Sequence, residues 1–464
     1  MNLPIIVRHT AVAIAVLLAA PTTSRGVQGQ STDSTRHNAS SDRVAALVAA
    51  FDTMARRELW PNFRPDTIPL AIFDGTRTFL VRQASPPPEF TRVERGEIVA
   101  EMNGRHAAVT ANSSADIGGR TTATVMPRFD GSTPRELAAV TIHEAFHVFQ
   151  RARHPTWTAN EADLFTYPFD DVAALAGRRL EFEALRRALR AQPNDSAACW
   201  GRAALGERTR RFARLGEIPA QYERRGELNE GLANYVQLRA AATPALAGMK
   251  PEELPADKVR DRTYLSGAAL GQLLDRLDRS WRQELELADS GAVLDAVLAR
   301  GVGAGAPACT FSARETAEAT RTARRDVAAF VARLAAERRR FEHATGAGIV
   351  VDASRATLFV NGFDPLNVSR LSAADVLHRR YLALKNGGGE LEVINHQALT
   401  VSAGSHPLFA GAKRVTITGL LRAPDVKDVG GAVDVAADGI RLHFKGATVT
   451  RAGRRVTITL APQK

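Results

Sequence analysis

Apolar positions along the chain change period three times. From Asp42, Val44, Leu47, Val48, Phe51 and Met54 recur three and four apart, the spacing of one helix face. Between residues 68 and 130 the apolar runs are short. Leu70–Phe73, Thr78–Val81, Ile98–Met102, Ala107–Thr110 and Thr121–Met126 read as brief strands. From Thr133 to about His343 the text is rich in Ala, Leu, Arg and Glu with few β-branched runs, which predicts helices, among them Val172–Leu189 and Ser196–Leu215. Beyond Thr345–Gly348 the period shortens again. Val350 and Val351, Thr357–Val360, Leu391–Ile394, Val415–Ile417, Leu442–Phe444 and Val456–Leu460 read as strands, parted by turns such as Asn386–Gly389. The expected fold class is α+β: a mostly helical domain over 43–345 with a small sheet at its start, then a β-rich domain over 346–464.

The N-terminus adds a targeting expectation. Arg8 and His9 precede an apolar run, Ala11–Ala20, and then polar sequence. That run is too short to span a bilayer but suits the core of a signal peptide. Residues 1–25 are expected to be an export signal and residues 26–42, rich in Ser, Thr and Asn, a linker; an uncleaved amphipathic anchor is the alternative. No later segment is long and apolar enough to cross a membrane, so the mature chain is expected in the periplasm or outside the cell.

Composition narrows the function. The 464 residues are 45% hydrophobic and 24% charged, as in ordinary globular proteins. The formal charge is +11, but only seven residues are lysine and the arginines are scattered among Glu and Asp. No basic stripe with interleaved aromatics marks a nucleic-acid surface, and no nucleic-acid partner is expected. The two cysteines, Cys199 and Cys309, could form one bridge in an oxidising compartment, though sequence leaves their pairing open. They are too few for a zinc–thiolate cluster, so a bound metal must rely on His and carboxylate ligands. His106, His154, His343, His378, His396, His406 and His443 stand alone and read as ordinary surface or packed histidines.

His143-Glu144-Ala145-Phe146-His147 is an H-E-x-x-H sequence. It carries chemistry only on a helix, where residues four apart face the same way. Its flanks predict that helix: Thr133 with Glu136 forms a capping box, Pro134 suits the first turn, Leu137, Val140 and Val148 supply an apolar stripe, and Pro155 ends it. His143 and His147 can then give one nitrogen each to a zinc ion. Glu144 can take a proton from water activated there.

A catalytic zinc needs a third protein ligand and an open position. The choice falls on Glu230, in Glu227-Leu228-Asn229-Glu230-Gly231-Leu232-Ala233-Asn234-Tyr235, with Glu227, Glu161 and Glu181 as rivals. Gly231 lowers helix stability but allows two helix backbones to approach closely. Asn234, one turn past Glu230, could hold the free ring nitrogen of a zinc-bound histidine.

This pair of segments, H-E-x-x-H followed by Asn-Glu-Gly-Leu-Ala-x-Tyr, resembles the gluzincin zinc metallopeptidases. The resemblance implies a thermolysin-like zincin fold, zinc on His143, His147 and Glu230, and Glu144 as general base. Tyr264-Leu265-Ser266-Gly267 looks like the Tyr-x-x-Gly helix of aminopeptidase-type relatives, which implies that Tyr264 donates to the oxyanion; Ser266 stands where those relatives often carry lysine. Residues 156–222 form an insertion between the two zinc segments. Glu101–Gly104 lies where a peptide N-terminus anchor would sit, in the wrong order. The likeness also implies that the edge strand before the zinc helix, read here as Thr121–Met126, pairs with extended substrate. The expectation is an exported zinc peptidase acting on peptide or protein substrates. Two alternatives stand: a non-catalytic binding or assembly protein on a degenerate scaffold, or a zinc hydrolase of non-peptide amides or esters.

Overall fold

The structure is a computed structural model that describes residues 30–246, 255–288, 291–303, 306–364 and 367–462. The expected signal segment, residues 1–25, lies outside these. Helix α1 (Gln30–Ala55) begins inside the stretch read as a linker. Ser, Thr and Asn are mediocre helix formers, but Val44, Leu47, Val48, Phe51 and Met54 anchor the second half in the core, and propagation from a fixed nucleus adds one hydrogen bond per residue ordered.

Six strands follow: β1 (Leu70–Phe73), β2 (Arg77–Val81), β3 (Thr91–Arg95), β4 (Ile98–Asn103), β5 (Ser113–Ile117) and β6 (Arg120–Val125). They form one sheet in the order β3-β4-β2-β1-β6-β5, antiparallel except for the β1–β6 pair. Two sequence readings are corrected here. Ala107–Thr110 forms no strand and lies in a turn closed by the hydrogen bond from Val109 N to His106 O. Thr121–Met126 corresponds to β6, which is interior; β5, whose alternation is weak, lies at the edge.

The sheet packs on α2 (Pro134–Arg153), whose N-terminus carries the expected Thr133–Glu136 capping box. Then come α3 (Val172–Arg190), α4 (Asn194–Leu215), α5 (Glu217–Gly226), α6 (Leu232–Ala241), α7 (Val259–Leu277), α8 (Trp281–Leu287), α9 (Leu294–Gly301) and α10 (Ala313–Glu342). One apolar core joins α1, the sheet, α2 and the helices behind it. At its centre Trp60 meets Phe146, Trp157, Tyr235 and Trp281 edge to face, with ring centroids 5.4–6.3 Å apart. This places a rigid aromatic floor beneath the helix that bears the H-E-x-x-H sequence. Cys199 on α4 is joined by a disulfide to Cys309, just ahead of α10.

From Ala347 the chain is β-rich. A seven-stranded and a six-stranded sheet share a second, separate core of residues such as Ile349, Val351, Val415 and Ile458 from one and Leu384, Val393, Leu442 and Phe444 from the other. That is the inward alternation of two face-packed sheets. The first strands are β7 (Ala347–Asp352), β8 (Phe359–Phe363) and β9 (Val368–Arg370). The helical part and this region touch through Arg338 with Asp375, Arg379 with Glu337, and the Arg370 guanidinium, which donates to the Phe165 carbonyl at 2.6 Å. Among the described residues no helix is long and apolar enough to cross a membrane.

Candidate metal centre

Four residues apart on α2, His143 and His147 present their Nε2 atoms 3.1 Å from each other. Glu230 brings Oε2 to 3.1 Å from His147 Nε2 and 3.6 Å from His143 Nε2. The three form the group among the described residues that could hold a metal ion. A tetrahedral zinc at about 2.0–2.1 Å from each donor needs donor–donor edges of about 3.3 Å. The observed edges bracket that value, so the residues fit the ion.

The local backbone explains why Glu230, and not its neighbours, arrives there. Residues Glu227–Gly231 form a π-helical turn between α5 and α6. Its i→i+5 bonding widens the turn, so residues three apart no longer share a face. Glu230 turns to the histidines. Glu227 turns away into a buried cluster, where it accepts from Arg208 at 2.5 and 2.7 Å and from the Ser266 hydroxyl at 2.5 Å. The other rivals are engaged elsewhere: Glu181 is buried against Arg208, Arg211 and Arg262, and Glu161 pairs with Arg260.

Gly231 makes the close approach possible. A Cβ there would lie 2.7 Å from Gly267 Cα, and one on Gly267 would lie 2.6 Å from Gly231 Cα. The turn that carries Glu230 therefore rests directly on the backbone of α7. That contact carries Tyr264 to the cleft, where its ring stacks on His143 with centroids 5.8 Å apart. Burial, and next the nearby Glu230 carboxylate, push the Tyr264 hydroxyl far above its ordinary pKa, so it stays an O–H donor.

Asn234 does not support a histidine. Its side-chain amide donates to the Tyr264 carbonyl at 3.0 Å, which ties α6 to α7. That role belongs to a residue the sequence reading passed over. Gln150, one turn past His147, donates from Nε2 to the carbonyls of Leu228 and Asn229 at 2.8 and 3.0 Å, and its Oε1 lies 2.9 Å from His147 Nδ1. Because the amide N–H bonds are taken by carbonyls, the oxygen faces the ring. His147 Nδ1 must then be the protonated nitrogen, and Nε2 keeps its lone pair for the metal. The only sequence signal was a polar residue on the inward face of α2.

Charge is arranged to match. Burial keeps His143 on the neutral side, its pKa lowered. Burial raises the Glu144 carboxyl to about 7. Burial also disfavours the charged form of Glu230, but the adjoining His143 and His147 outweigh it and hold that carboxyl well below the usual range. His147 moves opposite to what its burial alone would give, because Glu230 and Glu144 favour its cation. Two carboxylates beside two imidazoles thus make a pocket that stabilises positive charge.

The cleft around these groups has a volume of about 290 Å³. Asn112, Ser113 and Ser114, from the start of β5, form one wall, and Arg260 and Tyr264 from α7 another. The Arg260 guanidinium donates to Glu230 Oε1 at 2.8 Å, leaving Oε2 toward the histidines. Glu101–Gly104 is not on this lining; Glu101 pairs with Arg77 along β2 and β4. No protein-family model, no curated protein and no solved structure matches the chain.

Proposed function

We propose that the protein is a zinc-dependent peptidase of gluzincin type, built on a thermolysin-like arrangement and exported from the cytoplasm. The observation that carries this reading is the convergence of His143, His147 and Glu230 on one point, with Glu144 on the wall of the same cleft. A scaffold freed from catalysis has no physical need of a buried carboxyl beside that point. Export is supported by the N-terminal sequence and by the Cys199–Cys309 bridge, which persists in oxidising compartments.

Zinc, when bound, supplies a Lewis acid that polarises a substrate carbonyl and acidifies water in the cleft. The chain's own groups do the rest. Glu144, buried on the wall of the cleft, accepts a proton from the attacking water and passes it to the departing amine. Tyr264, held as a neutral hydroxyl beside His143, donates to the oxyanion that develops on the carbonyl. Arg260 keeps Glu230 in its ligand orientation by holding its second oxygen. The outer edge of β5 borders the cleft at Ser113 and Ser114, and among the described residues only its β6 side is paired. An extended peptide backbone can add to such an edge by main-chain hydrogen bonds.

The test is metal content and peptide hydrolysis in wild type, Glu144→Gln and Glu230→Ala. Wild type is expected to hold one zinc and to cleave a quenched peptide library. Glu144→Gln should keep the metal and lose about 10²–10⁴-fold in rate. Glu230→Ala should lose the metal. Full zinc in Glu230→Ala rejects the ligand set, and undiminished hydrolysis in Glu144→Gln rejects the mechanism.

A further inference from the structure

A second cavity, of about 410 Å³, opens where the helical part meets the β-rich region. One wall is the 3₁₀ segment Glu161–Phe165 and Phe169; the other is Phe363 at the end of β8, Val368 and Arg370 on β9, and Phe409. Its chemistry differs from that of the metal cleft. The Phe165 and Phe363 rings lie 6.1 Å apart, centroid to centroid, and Phe363 and Phe409 6.3 Å apart, both edge to face. Phe409, on the cavity wall, is 48% exposed.

The cavity and the metal cleft share a wall. Pro155 and Thr158 line the cleft, and Asn160 and Glu161, the next residues of the same loop, line the cavity. The rim between them is one half-exposed ion pair, Arg260 with Glu161 at 3.3 Å; Arg260 belongs to the cleft and holds Glu230. Two residues of extended peptide reach about 7 Å. Because Arg260 lines the cleft and Glu161 the cavity, a neighbouring side chain of a peptide in the cleft meets that rim. The β-rich region fixes the far wall: besides Arg370 on the Phe165 carbonyl, His406 Nε2 lies 3.3 Å from the Ala162 carbonyl oxygen.

We infer that this cavity is a substrate subsite for a bulky apolar side chain, aromatic or long aliphatic, of a peptide whose backbone lies in the adjoining cleft. The inference rests on the peptidase reading of that cleft and gives the β-rich region a task within it. Phe363 and Phe409 then decide specificity and take no part in the chemistry.

The experiment uses the full-length chain and two readouts. Peptides that differ only in carrying Phe or Ala at one position, scanned through the sequence, are tested for cleavage. The same blocked pairs are titrated against the protein for binding. At one position the Phe peptide is expected to bind, and to be cleaved in kcat/KM, about 10–100-fold better than the Ala peptide, the range for burying one large apolar side chain. Phe409→Ala and Phe363→Ala should collapse that preference by bringing the Phe peptide down toward the Ala peptide, and Phe409→Leu should restore much of it. Because Phe409 is half-exposed, its truncation does not threaten the core. Equal binding of both peptides to wild type at every position, or a preference that survives both alanine variants, overturns the inference. A Phe preference in binding without any hydrolysis would sink the peptidase reading and leave the apolar subsite standing.

Discussion

At the scale of single residues, the centre depends on which nitrogen of each histidine is bare. Gln150 settles this for His147 by spending its N–H groups on the Leu228 and Asn229 carbonyls and turning its oxygen to Nδ1. The same side chain links α2 to the turn that carries Glu230, so it fixes the orientation of His147 and the position of Glu230 at once. Gln150→Ala should weaken zinc binding about 10–100-fold, the usual effect of losing an outer hydrogen bond to a ligand. Competition with a chromogenic chelator measures this, with circular dichroism as a check on folding. Unchanged affinity would show that packing alone orients His147. The position follows His147 by three in the sequence, yet only the contact with two backbone carbonyls 78 and 79 residues away reveals its part.

At the scale of elements, the π turn Glu227–Gly231 is the device that separates two glutamates of opposite duty. It is held by Gly231 and Gly267 on one side and by the Glu227–Arg208–Ser266 bonds on the other. An added methyl at Gly267 has no room, since its nearest neighbours are backbone atoms. Gly267→Ala should destabilise by about 1–3 kcal/mol through overpacking and, by shifting the turn, should also weaken zinc binding. Urea unfolding paired with metal titration separates the two effects. A variant with wild-type stability and affinity would show that the helices part without consequence.

At the scale of the molecule, a buried ionic cluster ties α3, α4, α5 and α7 together behind the site. Glu181 accepts from Arg208 and Arg211, and Glu223 from Arg211, Arg262 and the Tyr167 hydroxyl. Burial pushes the Glu223 carboxyl up, but Arg211 and Arg262 outweigh it and hold it at about 2. Glu181 is likewise held low against its burial, whereas Glu227 stays raised because burial prevails there. A carboxyl whose pKa falls on folding stabilises the fold above its unfolded value near 4.5, and that contribution is lost as pH drops toward 2. Glu227 acts in the opposite sense, so the two depressed carboxyls set the net direction. Stability to urea should therefore fall between pH 5 and 3. Glu223→Gln should be less stable at pH 7, with a flatter profile over that window. A variant profile as steep as wild type would place the acid sensitivity elsewhere.

Much of this was legible in the residues themselves. The H-E-x-x-H helix, its capping box and its Pro155 stop follow from local chemistry, because helix periodicity and caps act within one turn. The change of period near residue 345 announced the β-rich region for the same reason. Less legible were elements whose local signal is weak: β5, which takes the edge in place of Thr121–Met126, and the helical start at Gln30. Glu230 could be nominated from its neighbours, but the choice over Glu227 required the π turn and the contact with Gly267, neither of which a local pattern encodes. Gln150 in place of Asn234, the Arg–Glu cluster, the Cys199–Cys309 pairing and the aromatic cavity likewise arise between segments far apart in the chain. Sequence by itself determined the periodic elements and the donor chemistry. Tertiary structure decided which donors converge, because that depends on how closely separate backbones pack.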